Sequence, residues 1–135
     1  MILFGKLRPY LAKVVNAPFD GVCSTELLVF KTSKSLVSKY LFYFMLSNRF
    51  IEQVNSSTYG VKMPRASPDF INSLHITLPN SIDQQEIVDY LDSKITNINY
   101  TISKIKENII LLEEYKTSLI HHVVTGKIDV KEEVI

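Results

Sequence analysis

Residues 81–126 read SIDQQEIVDYLDSKITNINYTISKIKENIILLEEYKTSLIHHVVTG, with apolar residues at alternating steps of three and four. Ten of the eleven positions in this heptad pattern are aliphatic, and the exception is a lysine. A repeat sustained over about five heptads is typical of a coiled-coil helix whose seam packs on another helix. The seam positions are Val88, Leu91, Ile95, Ile98, Ile102, Ile105, Ile109, Leu112, Lys116, Leu119 and Val123.

Signals at both ends bound this helix. Pro79 stops the preceding segment, and Ser81 with Gln84 three residues later fits a capping box. Gly126 is a natural C-terminal stop. The sequence therefore predicts a coiled-coil helix over 81–126, about 60 Å long at 1.5 Å per residue, and a tail over 127–135. A small domain cannot cover a stripe of that length, so we expect a homodimer or pairing with another helix of the same kind.

Lys116 interrupts the seam, and two interpretations of it stay open. A polar residue at one seam position can fix the register of a coiled coil at some cost in stability. Alternatively, its aliphatic stem lies along the seam while the charge reaches outward into water.

The first 80 residues contain short elements of both kinds. Met1–Phe4 and Glu26–Phe30 predict buried strands because branched and aromatic residues dominate them, and Leu74–Leu78 alternates as a strand does. The segment from Ser38 to Asn55 has the spacing of an amphipathic helix. The predicted fold class is α+β: a small domain over residues 1–80, followed by the long coiled-coil helix.

Charge is divided unevenly along the chain. Residues 1–80 hold nine basic and four acidic side chains, a net charge of +5, whereas residues 81–135 hold six basic and ten acidic, a net charge of −4. This asymmetry indicates a different partner for each half. Apolar residues make up 46% of the chain, which excludes an intrinsically disordered protein.

The location of the protein follows from what the sequence lacks. It has neither an apolar run of the roughly 18 residues that span a bilayer nor the features of a signal peptide. Its single cysteine, Cys23, cannot form an internal disulfide, and a lone cysteine is usually buried and inert. We therefore expect a cytoplasmic protein that does not enter a membrane.

Two glycine-containing loops carry the candidate DNA-binding residues. Arginine can read guanine bidentately, lysine more often holds phosphate, and glycine lets the backbone approach a ligand. A solvated basic face would have a similar composition, so the loops alone leave DNA binding open. The candidates are Lys6, Arg8, Tyr10 and Lys13 in the first loop, and Lys62 and Arg65 in the second.

Catalytic motifs are missing from the sequence. It has no glycine-rich phosphate loop and no adenosylmethionine-type motif. Asp69 with Glu114 and Lys116 superficially resembles a nuclease triad, but the last two belong to the coiled-coil helix. His121 and His122 are adjacent, so on a helix they cannot form the i, i+4 pair of zinc sites. We expect a chain that is not an enzyme and uses no metal and no cofactor.

Several segments resemble a known family in the right order along the chain. Ile2–Leu11 (ILFGKLRPYL), Gly21–Glu26 (GVCSTE) and Gly60–Arg65 (GVKMPR) are similar to parts of the target-recognition domain in type I restriction–modification specificity subunits. Leu78–Asp92 and Leu119–Asp129 resemble the two ends of that family's conserved helical region. Asp83 stands where the family more usually has glutamate.

The resemblance implies a division of labour. A complete specificity subunit would carry two recognition domains that read the halves of a split DNA site, with long antiparallel helices that set their spacing. Separate methyltransferase (modification) and restriction subunits would carry out the chemistry. This chain enters its one recognition domain midway, so we expect a fragment or a truncated reading frame. An assembly module that pairs through its helix without reading DNA remains the alternative.

Overall fold

A three-stranded antiparallel sheet is the framework of the globular part of the chain. The computed structural model describes residues 1–60 and 62–131. The central strand pairs on both sides, so that Leu3 lies opposite Val15 on one neighbour and Val29 on the other. The strands predicted at 1–4 and 26–30 are confirmed, with ends displaced by one residue. In the order β2-β1-β3, the sheet comprises β1 (Ile2–Gly5), β2 (Val14–Asn16) and β3 (Leu27–Phe30).

One face of this sheet packs on helices to form the core. Ile2 and Phe4 alternate onto that face and are fully buried. The Phe4 ring meets Phe50 edge-on, with ring centroids 5.7 Å apart, and the Phe44 ring lies 5.5 Å from Phe50. The buried cluster consists of Ile2, Phe4, Met45, Phe50, Val54, Ala66 and Ile71.

The helix predicted over 38–55 is in fact two helices, α1 (Ser38–Leu46) and α2 (Asn48–Ser56). Ser47 separates them with an extended backbone (φ −66°, ψ 142°). Its hydroxyl donates to the Phe44 carbonyl at 2.7 Å and accepts from the Phe50 N–H at 3.4 Å. Serine side chains compete with helical backbone hydrogen bonds in this way, so one residue ends α1 and caps α2.

The strand predicted at Leu74–Leu78 is wrong. A third helix, α3 (Pro68–Ser73), precedes the segment, and residues 74–80 form neither helix nor strand. Side-chain burial alternates only as far as Thr77: Leu74 packs against the core and His75 is exposed, but Leu78 is exposed as well. The Thr77 carbonyl is bonded by a side chain rather than by a neighbouring strand, since the Tyr40 hydroxyl donates to it at 3.1 Å.

The long helix α4 (Ser81–Val124) comprises 44 residues and confirms the predicted long C-terminal helix. The prediction that Ser81 and Gln84 form a capping box is wrong. Asn80 is the N-cap of α4, and its Oδ1 accepts from the N–H groups of Ile82 and Asp83 at 3.0 and 2.9 Å. Gly126 ends the helix as predicted, with φ +71° and a hydrogen bond from its N–H to the Val123 carbonyl. Among the described residues, no helix has the length and apolar character to cross a bilayer.

The chain divides into two compact units, Met1–Leu91 and Asp92–Ile135. The first turns of α4 belong to the first unit, where Gln84 is fully buried and Val88 is 2% exposed. The Gln84 amide donates to the carbonyls of Ser35 and Pro79 at 3.0 and 2.8 Å. Its Oε1 accepts from the Val37 N–H at 2.8 Å. Gln84 therefore fastens the start of α4 to the segment before α1.

Gln84→Leu is expected to lower the free energy of unfolding by about 3 kcal/mol, because it leaves buried backbone groups without partners. Gln84→Glu should also destabilise, since a carboxylate cannot donate to the two carbonyls. Gln85→Leu is the control, because Gln85 is exposed and its side-chain amide bonds Asp89 on the surface. Urea unfolding measures all three variants. Equal stability of the Gln84 and Gln85 variants would contradict the role given to Gln84.

Candidate nucleic-acid interface

The two basic loops predicted from the sequence lie side by side in the first unit. The Lys6 N–H donates to the Glu26 carbonyl at 2.9 Å, and the Lys6 carbonyl accepts from the Ala66 N–H at 2.9 Å. Two residues later, the Arg8 N–H donates to the Pro64 carbonyl at 2.8 Å. The segment after β1 is thus held between the start of β3 and the second loop, which brings distant parts of the sequence together.

The second loop is closed at its base by a pair of backbone hydrogen bonds. The Tyr59 N–H donates to the Arg65 carbonyl at 3.2 Å, and the Arg65 N–H donates back at 2.9 Å. Gly60 has φ +90°, a backbone conformation that residues with a side chain rarely adopt, so this turn favours glycine. Lys62 is exposed within this loop, and Val61, part of the quoted motif, lies outside the described residues.

Arg65 forms an ion pair with Glu26, from Nη2 to Oε1 at 3.0 Å. Their side chains are 48% and 42% exposed, so the pair lies at the surface. An exposed ion pair of this kind stabilises a fold by only about 0–1 kcal/mol. Its main effect is geometric, because it fixes where the guanidinium lies.

Arg8 has a left-handed backbone, with φ 53° and ψ 66°. This conformation costs a non-glycine residue about 1–2 kcal/mol, so its surroundings must hold it. The bond to Pro64 and the burial of Pro9, which opens a short 3₁₀ helix (Pro9–Leu11), supply that restraint. Arg8 Nε is enclosed and has no hydrogen-bond partner among the described residues, while the neighbouring Tyr10 is 52% exposed.

Lys13 belongs to the same surface through its backbone. Its carbonyl accepts from the Gly5 N–H at 2.9 Å, just before β2 begins. A Cβ added at Gly5 would lie 3.2 Å from the Lys13 Cβ, so the absence of a side chain permits this approach. The Lys13 side chain is exposed beside the segment that carries Lys6.

Glu26 is the member of this surface that sequence reasoning missed. In the sequence it was one of the few acids in a basic half and the last residue of the GVCSTE segment, and neither observation made it a candidate DNA-binding residue. Its position depends on the pairing of β3 with β1, in which Leu27 lies opposite Gly5 and Glu26 adjoins Lys6. That register becomes known only once the strands are paired. We name the basic surface as the set Lys6, Arg8, Tyr10, Lys13, Glu26, Lys62 and Arg65.

The seam of α4 lies in two different environments. Val88 is buried within the first unit, so its side chain is not available to a second helix. In the second unit the aliphatic seam residues are solvent-accessible, as an unpaired seam would be. Exposed fractions are 38% for Ile95, 57% for Ile98, 43% for Ile102, 52% for Ile105, 50% for Ile109, 66% for Leu112 and 39% for Leu119.

Cys23 is exposed, contrary to the usual behaviour of a lone cysteine. It lies in the irregular stretch between β2 and β3, where Phe19 and Val22 are exposed as well. Together with the outer face of the sheet, this stretch lines an open, mostly apolar surface pocket of about 600 Å³. No group of three or more metal-binding side chains occurs among the described residues.

Comparison with known proteins covers the globular unit and much of α4. Residues 2–111 match the sequence model of the type I restriction modification DNA specificity domain. The chain is 24% identical over 119 residues to the type I restriction enzyme EcoDI specificity subunit of Escherichia coli, covering 81% of this chain and 26% of that protein. It is 31% identical over 120 residues to the HindI specificity subunit of Haemophilus influenzae, covering 78% and 26%. The chain therefore spans about a quarter of the length of these curated relatives. By the match of its residues 2–111, it belongs to the family of type I restriction modification DNA specificity domains.

Proposed function

We propose that this chain is a DNA-sequence-recognition part of a type I restriction–modification specificity subunit. The observation that carries the proposal is the joining of the two basic loops through Lys6 and Arg8, in a chain of this family. Five cations share the basic surface with one carboxylate. Such a surface suits phosphate contacts that position a protein on DNA and arginine contacts that read base edges.

The chemistry of such a system would reside in other subunits. The relatives are specificity subunits of type I restriction enzymes. We propose that methyltransferase and restriction subunits are this chain's partners and that the chain directs them to DNA in the cytoplasm without catalysing a reaction itself. The DNA-contacting residues would be Lys6, Arg8, Tyr10, Lys13, Lys62 and Arg65.

The second unit supports a role in assembly. Its seam from Ile95 to Leu119 is aliphatic and solvent-accessible in the single chain. We propose that it pairs with an identical chain or with the helix of another specificity subunit. An assembly module that does not read DNA would have the same seam. DNA recognition is therefore distinguished from assembly by the basic surface alone.

Replacing Lys62 and Arg65 together with glutamine is expected to weaken binding to a random-sequence DNA duplex about tenfold at about 0.1 M salt. Because the lost phosphate contact is that of Lys62, the slope of log K against log salt should also flatten by about 0.9. Fluorescence anisotropy over a salt series measures both quantities.

Lys31→Gln with Lys34→Gln is the matched control. It removes the same charge beyond the far end of β3, five and eight residues from Glu26 along the chain. A loss of affinity equal to that of the first pair would show that only bulk charge matters. That result would favour the assembly module over the DNA-reading function.

A further inference from the structure

We propose that Glu26 is a positioning residue of the basic surface: its carboxylate fixes the Arg65 guanidinium for base reading and keeps it from indiscriminate phosphate contact. This inference rests on the proposed function and adds a means of discrimination to it. An acidic side chain within a DNA-contacting surface opposes affinity, so its presence there calls for another role.

Glu26 and Arg65 are both bonded through their backbones to the segment that follows β1. The Glu26 backbone carbonyl accepts a hydrogen bond from the Lys6 N–H, and Arg65 forms an antiparallel β-bridge with Leu7. Their side chains meet at 3.0 Å. Because the backbones of both residues are anchored to the same segment, the guanidinium is held relative to Lys6 and Arg8 rather than moving freely.

The exposure of the Glu26–Arg65 ion pair indicates that the pair adds little to the free energy of unfolding. Both side chains are about half exposed, and exposed ion pairs contribute little to a fold. Glu26 Oε2 is buried and has no hydrogen-bond partner among the described residues. Within that part of the chain, the carboxylate accepts its side-chain hydrogen bond from Arg65 through Oε1.

A guanidinium held in this way suits base reading better than a free one. Arginine has five N–H donors in a rigid fork and reads guanine O6 and N7 with two of them. Glu26 engages one Nη2 hydrogen and leaves the other donors for a base. The negative charge beside Arg65 also weakens its attraction to phosphate, which is the contact that carries no sequence information.

Glu26→Gln is the direct test, with Glu52→Gln as the control. Glu52 is an exposed residue of α2, so its replacement removes the same charge without touching Arg65. We expect the Glu26 variant to bind a random-sequence duplex about fivefold more tightly than the Glu52 variant at about 0.1 M salt. Its salt slope should steepen by about 0.9, because Arg65 gains one phosphate contact.

Two further variants separate positioning from bulk charge. Adding Arg65→Gln to Glu26→Gln should abolish the gain, since no released guanidinium remains. Glu26→Asp keeps the charge but withdraws the carboxylate by one methylene, so we expect a gain of about twofold, whereas bulk charge predicts none. The aspartate variant also provides a measurement if the glutamine variant fails to fold.

Equal DNA affinities for Glu26→Gln and Glu52→Gln would overturn the inference, as would a gain in affinity that persists when Arg65→Gln is added. If in either case the replacement of Lys62 and Arg65 still weakened DNA binding, the proposed function would hold without the inference. If neither loop mattered to affinity, the proposed function and this inference would fail together.

Discussion

Ile105→Asp is expected to abolish self-association of the chain, whereas Ile110→Asp leaves it nearly intact. The two isoleucines are 52% and 56% exposed in the single chain, so exposure does not distinguish them. They differ in the heptad: Ile105 lies on the seam, and Ile110 follows the seam residue Ile109 on the outer side. An aspartate on the seam would have to be buried against a partner helix, without a counter-ion, at a cost of several kcal/mol.

Sedimentation velocity over a concentration series measures this effect. We expect the dissociation constant to rise more than about 100-fold for the seam variant, since each 1.4 kcal/mol is a factor of ten. Changes of about twofold are expected for Ile110→Asp. A monodisperse monomer of the unaltered chain at high concentration, or equal losses in both variants, would contradict pairing through this seam.

Phe4→Ala has the largest expected effect on folding. Phe4 is fully buried in the central strand and meets Phe50 edge-on. Truncating a buried phenylalanine removes apolar burial and leaves a cavity, at a cost of about 3–5 kcal/mol. For a small domain, that loss is a large part of its total stability, so the variant should be mostly unfolded at 37 °C.

Phe19→Ala is the matched control, because Phe19 is 78% exposed. It should change the free energy of unfolding by less than about 0.5 kcal/mol. Urea unfolding followed by circular dichroism compares the two. Similar midpoints for both variants would show that the sheet and α2 do not share the core described above.

The parts of the fold that the sequence predicted are those determined by local pattern. The heptad indicated α4, and branched residues indicated β1 and β3, because periodicity reflects burial directly. Leu74–Leu78 shows the limit of that reasoning: its side chains alternate in burial from Leu74 to Thr77, but the Thr77 carbonyl bonds to Tyr40 instead of a strand. Periodicity describes which side of a segment is covered and says nothing about its backbone partner.

Long-range polar contacts were outside the reach of sequence reasoning. Gln84 was assigned to a cap from its spacing alone, yet its amide bonds Ser35 and Val37 far back in the chain. In the same way, the six candidate DNA-binding residues were found from the composition of two loops, whereas the place of Glu26 beside Lys6 follows only from the pairing of β1 with β3. Spacing rules describe neighbours within an element, and these contacts join different elements.

The exposed thiol of Cys23 has a practical consequence for measurements of assembly. As the sole cysteine of the chain, it can form a disulfide only with another molecule, and its exposure makes it accessible for that reaction. Air oxidation would therefore produce covalent dimers without the helix seam, and Ile105→Asp would leave them intact. A reducing agent or Cys23→Ser removes this artefact, and a dye attached to the same thiol would label each molecule once.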